Sequence, residues 1–166
     1  MIEMSKNKEN EPFHSGEIYH LWAYLFHTKH YLVTLQVFIN HTGDEDLKAY
    51  LEDLLENEVT QEAQQIEMIL KEAGIRLPPA PPDRPNVEVE DIPAGARFHE
   101  PEIAILVQEE LMYGKIQCSS MMNISIRTDF EEIFGDFHEQ KTTYYRKLSD
   151  LSKKKGWVVS PPVHIK

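Results

Sequence analysis

At 166 residues the chain has the size of one domain, enough to bury a core without disulfides or a structural metal. Its formal net charge of −11 argues against a nucleic-acid partner, which needs a basic face, and against adsorption to an anionic membrane. A hydrophobic fraction of 41% and a charged fraction of 27% fit a soluble globular protein.

The single cysteine, Cys118, rules out an intramolecular disulfide. Beside Met121 and Met122 it reads as a buried, inert thiol. The first residues, MIEMSKNKENEPFHSG, lack the apolar core of a signal peptide, and no run approaches the ~20 apolar residues of a membrane span. The expectation is a protein made and kept inside the cell, with residues 1–14 a flexible segment and residues 15–166 a single unit.

Ser15 is the predicted cap of a first helix whose stripe is Ile18, Leu21, Leu25, Leu32, Leu35 and Ile39, with Thr28 in the same seam. After His41, Thr42-Gly43-Asp44-Glu45 has the form of a capping box. The second helix then carries Leu47, Leu51, Leu55, Val59, Glu62, Ile66 and Ile69, and Gly74 suits its left-handed cap.

Residues 75–100 contain Pro78, Pro79, Pro81, Pro82, Pro85 and Pro93 and cannot be helix. A third helix opens at Pro101, with Ile103, Leu106, Val107, Tyr113, Met121 and Ile124 on its apolar face. Thr128-Asp129-Phe130-Glu131 is a second box form. The fourth helix carries Phe130, Phe134, Phe137, Tyr144 and Leu148 and stops at Gly156, leaving a tail at 157–166.

Each half therefore holds two helices, a Thr-x-x-Glu between them, and a closing glycine followed by apolar residues and a proline pair, which points to duplication of a helical hairpin. A turn between neighbouring antiparallel helices needs only about 2–8 residues. The 26 residues of the connection reach up to ~80 Å when extended, against ~42 Å for a helix of about 28 residues. The predicted fold is all-α: a four-helix bundle with a long crossover between the second and third helices, the ferritin-like arrangement.

Three stretches carry a resemblance: Glu17 to Trp22, Glu72-Ala73-Gly74-Ile75-Arg76-Leu77-Pro78-Pro79, and Lys155-Gly156-Trp157-Val158-Val159-Ser160-Pro161-Pro162. In these the chain resembles an uncharacterised ferritin-like family of endospore-forming bacteria, described as candidate spore coat proteins, and is distantly similar to spore coat protein F. The resemblance implies a four-helix fold and a sporulation context. It implies no activity and no catalytic residues.

Di-metal members of ferritin-like folds use a glutamate from each of two helices and Glu-x-x-His from each of the other two. Glu17-x-x-His20 is the one such pair here, and it lies at the start of the first helix. The remaining candidates are Glu58, Glu62, Glu110 and His138, as a degenerate site for iron, manganese or zinc. Glu62 stands inside an apolar stripe, so it must be paired, protonated or bound. With the crossover it falls level with Tyr24, Gln117 and His138. The favoured expectation is a buried polar network in which Lys141 or tyrosine hydroxyls satisfy Glu62.

His20, His27 and His41, with His30 nearby, form an outward stripe, read as a solvated face or, with Phe26, a dimer contact. No nucleophile elbow or phosphate loop is present. The leading expectation is a non-enzymatic structural or spore-coat-associated protein with protein partners or self-association, a homodimer included. The alternatives are a metal-binding oxidase or storage protein, and a bundle that takes a small apolar ligand between its helices.

Overall fold

The computed structural model describes residues 11–166, and among these there is no strand. The helices are α1 (Ser15–Asn40), α2 (Glu45–Leu54), α3 (Thr60–Glu72), α4 (Glu100–Ile124) and α5 (Thr128–Lys155). A π turn, Leu55–Val59, joins α2 to α3 in one continuous rod, so the chain makes four rods. Two short 3₁₀ turns, Val89–Asp91 and Ala94–Ala96, lie in the long connection.

That connection runs the length of the bundle, fastened to α1 step by step. Trp22 Nε1 donates to Arg76 O at 3.0 Å and Lys29 Nζ to Pro78 O at 3.0 Å. Gln36 and Asn40 each bond it twice: Gln36 reaches Asp83 and Arg84, Asn40 reaches Pro85 and Val87. The proline-rich stretch 76–87 makes no backbone–backbone hydrogen bonds within itself, so its carbonyls are free to accept from the helix. The strap ends where Gly43 N donates to Glu100 Oε1 at 3.1 Å, which starts α4 beside the α1–α2 turn. The α2–α3 rod and α4 are therefore parallel, as the length of the strap requires.

The glycine exits form as expected, at φ +71° for Gly74 and +74° for Gly156. In both, the next amide reaches back over the helix end: Ile75 N to Leu70 O and Trp157 N to Ser152 O, each at 2.9 Å. The helix starts differ from expectation. His14, not Ser15, caps α1, in a reciprocal box with Glu17. Asp44, not Thr42, caps α2 by accepting from Leu47 N at 3.0 Å, because the buried Thr42 hydroxyl is turned back onto Phe38 O at 2.6 Å. Thr128 lies within α5, and its N-cap residue Arg127 makes no side-chain capping bond.

The caps expose a further repeat, Phe13-His14-x-x-Glu17 and Phe98-His99-x-x-Glu102, each opening the first helix of a hairpin. Glu17 is fully buried and also accepts from Ser125 Oγ and Ile126 N in the α4–α5 turn. That settles the geometry of Glu17-x-x-His20: the carboxylate ties two rod ends together, while His20 Nδ1 pairs with Gly16 O at 2.8 Å. Of the expected flexible segment, residues 1–10 lie outside the described residues. Phe13 stacks on Phe130 at 5.3 Å, and the Arg127 guanidinium lies 4.2 Å from its ring centroid.

Two apolar clusters fill the bundle. One, toward the α1–α2 turn, contains Leu35, Leu47, Leu51, Ile103, Val107 and Leu148. The other, toward the start of α1, contains Leu21, Leu25, Ile66, Leu70, Phe130 and Phe134. Between them lies a layer of buried polar side chains.

Candidate functional site

The layer begins with a spacing. From Leu54 through Glu58 and Glu62 to Ile66 the buried residues of the second rod fall four apart. Four residues overshoot an α-helical turn by about 40°, so three such steps would carry the stripe roughly 120° off the core. The π turn takes up that drift with one extra residue: Thr60 N donates to Leu55 O, and Thr60 Oγ1 bonds the same carbonyl at 2.6 Å. Glu58 and Glu62 are thereby both turned inward, 0% and 2% exposed, while Leu55 is only half-buried.

From α5 the Lys141 side chain, 7% exposed, reaches across the bundle and donates to both: Nζ lies 2.5 Å from Glu58 Oε1 and 2.7 Å from Glu62 Oε1. From α1, Tyr24 Oη donates to Glu62 Oε2 at 2.8 Å, and Cys118 Sγ of α4 lies 3.6 Å from the same hydroxyl. Gly114 of α4 makes the room. A Cβ at that position would sit 2.7 Å from Lys141 Cε and 2.8 Å from Cδ. Every rod thus contributes to the layer.

Two buried carboxylates and one buried ammonium carry an excess negative charge, which low dielectric opposes. Burial accordingly pushes Glu62 up to about 8; Lys141 works against the rise and Glu58 adds to it. Burial alone would depress Lys141, but the two carboxylates outweigh it and hold the ammonium well above its ordinary range. Burial, and then the neighbouring Glu62, raise Tyr24 far above a free phenol, so it acts as a donor. Burial pushes Cys118 up to about 12, which leaves a neutral, unreactive thiol near pH 7.

A cavity of about 80 Å³ reaches this layer between α1 and α4, with Tyr24, Thr28, Tyr31, Glu62 and Lys141 among its walls. Its mouth is crossed by His27 Nε2 and Glu110 Oε2, 2.9 Å apart, with Tyr113 against the His27 ring. Among the described residues, Tyr31 Oη and Glu58 Oε2 are buried without a hydrogen-bond partner.

Of the four residues singled out for metal, the structure brings Glu58 and Glu62 together, on an ammonium. Glu110 lies at the surface with His27. His138 is half-buried, one turn before Lys141, and it is the lysine that reaches Glu62 from α5; of the residues expected level with Glu62, Tyr24 of α1 bonds it directly. Among the described residues no three histidine, cysteine or acidic side chains form a group that could hold a metal ion. The sequence reading offered Glu58 as a metal candidate but left it out of the apolar stripe; its place seven residues after Leu51 was the signal that it faces the core. It missed Gly114 as well, for which one sequence offers no signal.

Comparison with known proteins places the chain among relatives without assigned chemistry. A family model described as "Protein of unknown function (DUF3231)" matches residues 2–166. The uncharacterised protein YvdQ of Bacillus subtilis (strain 168) is 41% identical over 162 residues, covering 98% of this chain and 95% of YvdQ. A crystal structure from Bacillus halodurans C-125, described as a putative spore coat protein, superposes with a TM-score of 0.92 at 40% identity, over 96% of this chain and all of that one. Among the described residues no helix is long and apolar enough to cross a membrane.

Proposed function

Since the chain belongs to the DUF3231 family of proteins of unknown function, we propose a role that follows from its architecture: a non-enzymatic structural protein associated with the spore coat. The frame is read as ferritin-like, four rods with one long crossover. The observation that carries the proposal is the seating of Lys141 between Glu58 and Glu62. At the level where such bundles place acidic metal ligands, a covalently attached cation already neutralises the carboxylates. Removing one member of a buried ion pair is strongly unfavourable, so the layer resists giving up its ammonium to a free ion.

The layer then serves as a knot that joins the first hairpin, which supplies the carboxylates, to the second, which supplies the lysine. The spore-coat context is supported by the description of the Bacillus halodurans relative and by the likeness over nearly the whole of both chains. The test is location. A fluorescent fusion followed through sporulation, with extraction of mature spores, is expected to place the protein in the coat fraction. Recovery only from the cytosol of growing cells would overturn the proposal.

A further inference from the structure

The cavity between α1 and α4 is walled in part by a polar group that the layer beneath it leaves unused. Tyr31 is one of its walls, 9% exposed, and its hydroxyl is buried with no hydrogen-bond partner among the described residues. Burial raises that phenol far above its ordinary range, and Tyr50, Glu58 and Glu110 add to the rise, so the hydroxyl is neutral. A buried hydroxyl without a partner is costly unless something enters to meet it. The cavity offers about 80 Å³, against ~30 Å³ for one molecule of liquid water. An occupant of about three non-hydrogen atoms fits that space.

The surroundings select its charge. Glu58 and Glu62 share a single ammonium, Lys141, and Glu110 stands at the mouth against His27. An anion would add to this excess of negative charge. A neutral alcohol would meet Tyr31 and leave the excess as it is. A divalent metal needs several protein ligands at once, and among the described residues no three histidine, cysteine or acidic side chains form such a group. A small organic ammonium meets every condition. It brings one positive charge and several N–H donors. Tyr24, Tyr31 and Tyr113 line the cavity with rings of the kind whose faces attract an ammonium, and Ala23 and Leu111 give a short alkyl chain an apolar wall.

We propose that this cavity binds a primary alkylammonium ion of about three non-hydrogen atoms. Its N–H groups donate to the Tyr31 hydroxyl and to Glu62, and its alkyl end lies against Ala23 and Leu111. Lys141 keeps both of its carboxylates, and the second cation cancels the charge that Lys141 leaves over. Without the ligand a proton on Glu62 makes up that difference, and binding displaces it. Entry is past His27 and Glu110, whose side chains are 45% and 34% exposed. A pair so open to solvent holds weakly, so the mouth opens at little cost. This inference goes beyond the spore-coat proposal and does not depend on it: the cavity can be filled wherever the protein resides, and an empty cavity leaves a coat role untouched.

The test compares ethylammonium with ethanol, which has the same number of non-hydrogen atoms and no charge. Each is titrated into the full chain at constant ionic strength and at a pH above 8, where Glu62 has shed its proton, and the backbone amide chemical shifts are followed. Ethylammonium is expected to shift the amides around Tyr31 and Gly114 and to saturate, while ethanol leaves them in place. Tyr31→Phe keeps the ring and removes the hydroxyl, and should weaken binding about tenfold or more. Ala23→Leu fills the cavity from its wall and should abolish binding. No saturable shift with ethylammonium would mean that the cavity holds only water and would overturn the proposal. So would equal binding of ethanol, or binding that Tyr31→Phe leaves undiminished, which would place the cation on surface carboxylates instead.

Discussion

In the first hairpin the extended segment after the left-handed glycine is bonded to its own α1 from Trp22 to Asn40; in the second, the segment after Gly156 is held, among the described residues, through Trp157 alone. The cores of the two hairpins differ as sharply. The first contributes buried carboxylates through a π turn, the second a buried ammonium from a regular helix. Their punctuation, by contrast, is shared: histidine boxes at α1 and α4, and glycine exits at α3 and α5. Duplication can supply a frame, but two identical halves would face each other with like charges in the core. Divergence at the polar layer makes the halves complementary, so each hairpin needs the other to neutralise what it buries.

The most damaging way to break that complementarity is Lys141→Met. It leaves two buried carboxylates without their cation and is expected to destabilise the fold by ~3–5 kcal/mol, read from the urea midpoint. Adding Glu58→Gln and Glu62→Gln removes the orphaned charge, and most of the lost stability should return. A triple variant no more stable than Lys141→Met would mean that the layer is not governed by charge neutralisation.

Gly114→Ala probes the same contact from the other side. Alanine favours a helix over glycine by ~1 kcal/mol, yet its Cβ would come 2.7 Å from a lysine side chain pinned at its far end. Overpacking of that kind costs ~1–3 kcal/mol, so a net loss of up to about 2 kcal/mol is expected. Where Lys141→Ala, Glu58→Gln and Glu62→Gln have emptied the layer, the same change should turn mildly stabilising. A sign that does not reverse would show that Gly114 is not there to admit Lys141.

The parts legible in the sequence were those set by backbone chemistry. Gly74 and Gly156 had to stop their helices, and a strap of 26 residues was too long for a turn, so the parallel course of the second and third rods followed. Helix starts were less legible because the residues used depart from the usual preferences. His14 and His99 cap where serine, threonine or aspartate is expected, and Thr42 spends its hydroxyl on its own helix. The polar layer was half legible. Glu62 stood out among apolar residues and Lys141 was a foreseeable partner. Glu58 was offered as a metal candidate and left out of the apolar stripe, although it stands eleven residues after Leu47 and seven after Leu51, within about 20° of both on a regular helix. The pairing of Gly114 with Lys141 is a contact between helices, which no local pattern encodes.

The smallest expected effect concerns pH and separates the two carboxylates from their cation without removing an atom. Glu62 is pushed from an ordinary 4.5 up to about 8, first by burial and then by Glu58. Between those values the folded chain holds a proton that the unfolded chain has released. Stability must therefore fall as pH rises from about 5 to about 8. Lys141 is raised above its ordinary 10.5, so its contribution is intact throughout this window and is lost only at more alkaline pH. Asp44, Asp53 and Glu67 are lowered by partners such as Lys155, Asn57 and Lys29, and they act below the window, where stability falls with acid instead. The wild-type chain should lose at least ~1 kcal/mol more than Glu62→Gln between pH 5 and pH 8, since a tenfold difference in proton affinity between folded and unfolded chains is worth about 1.4 kcal/mol. Taking the difference between the two chains cancels the histidines, which both share. If the two curves run parallel across the window, Glu62 is not the group that carries the extra proton.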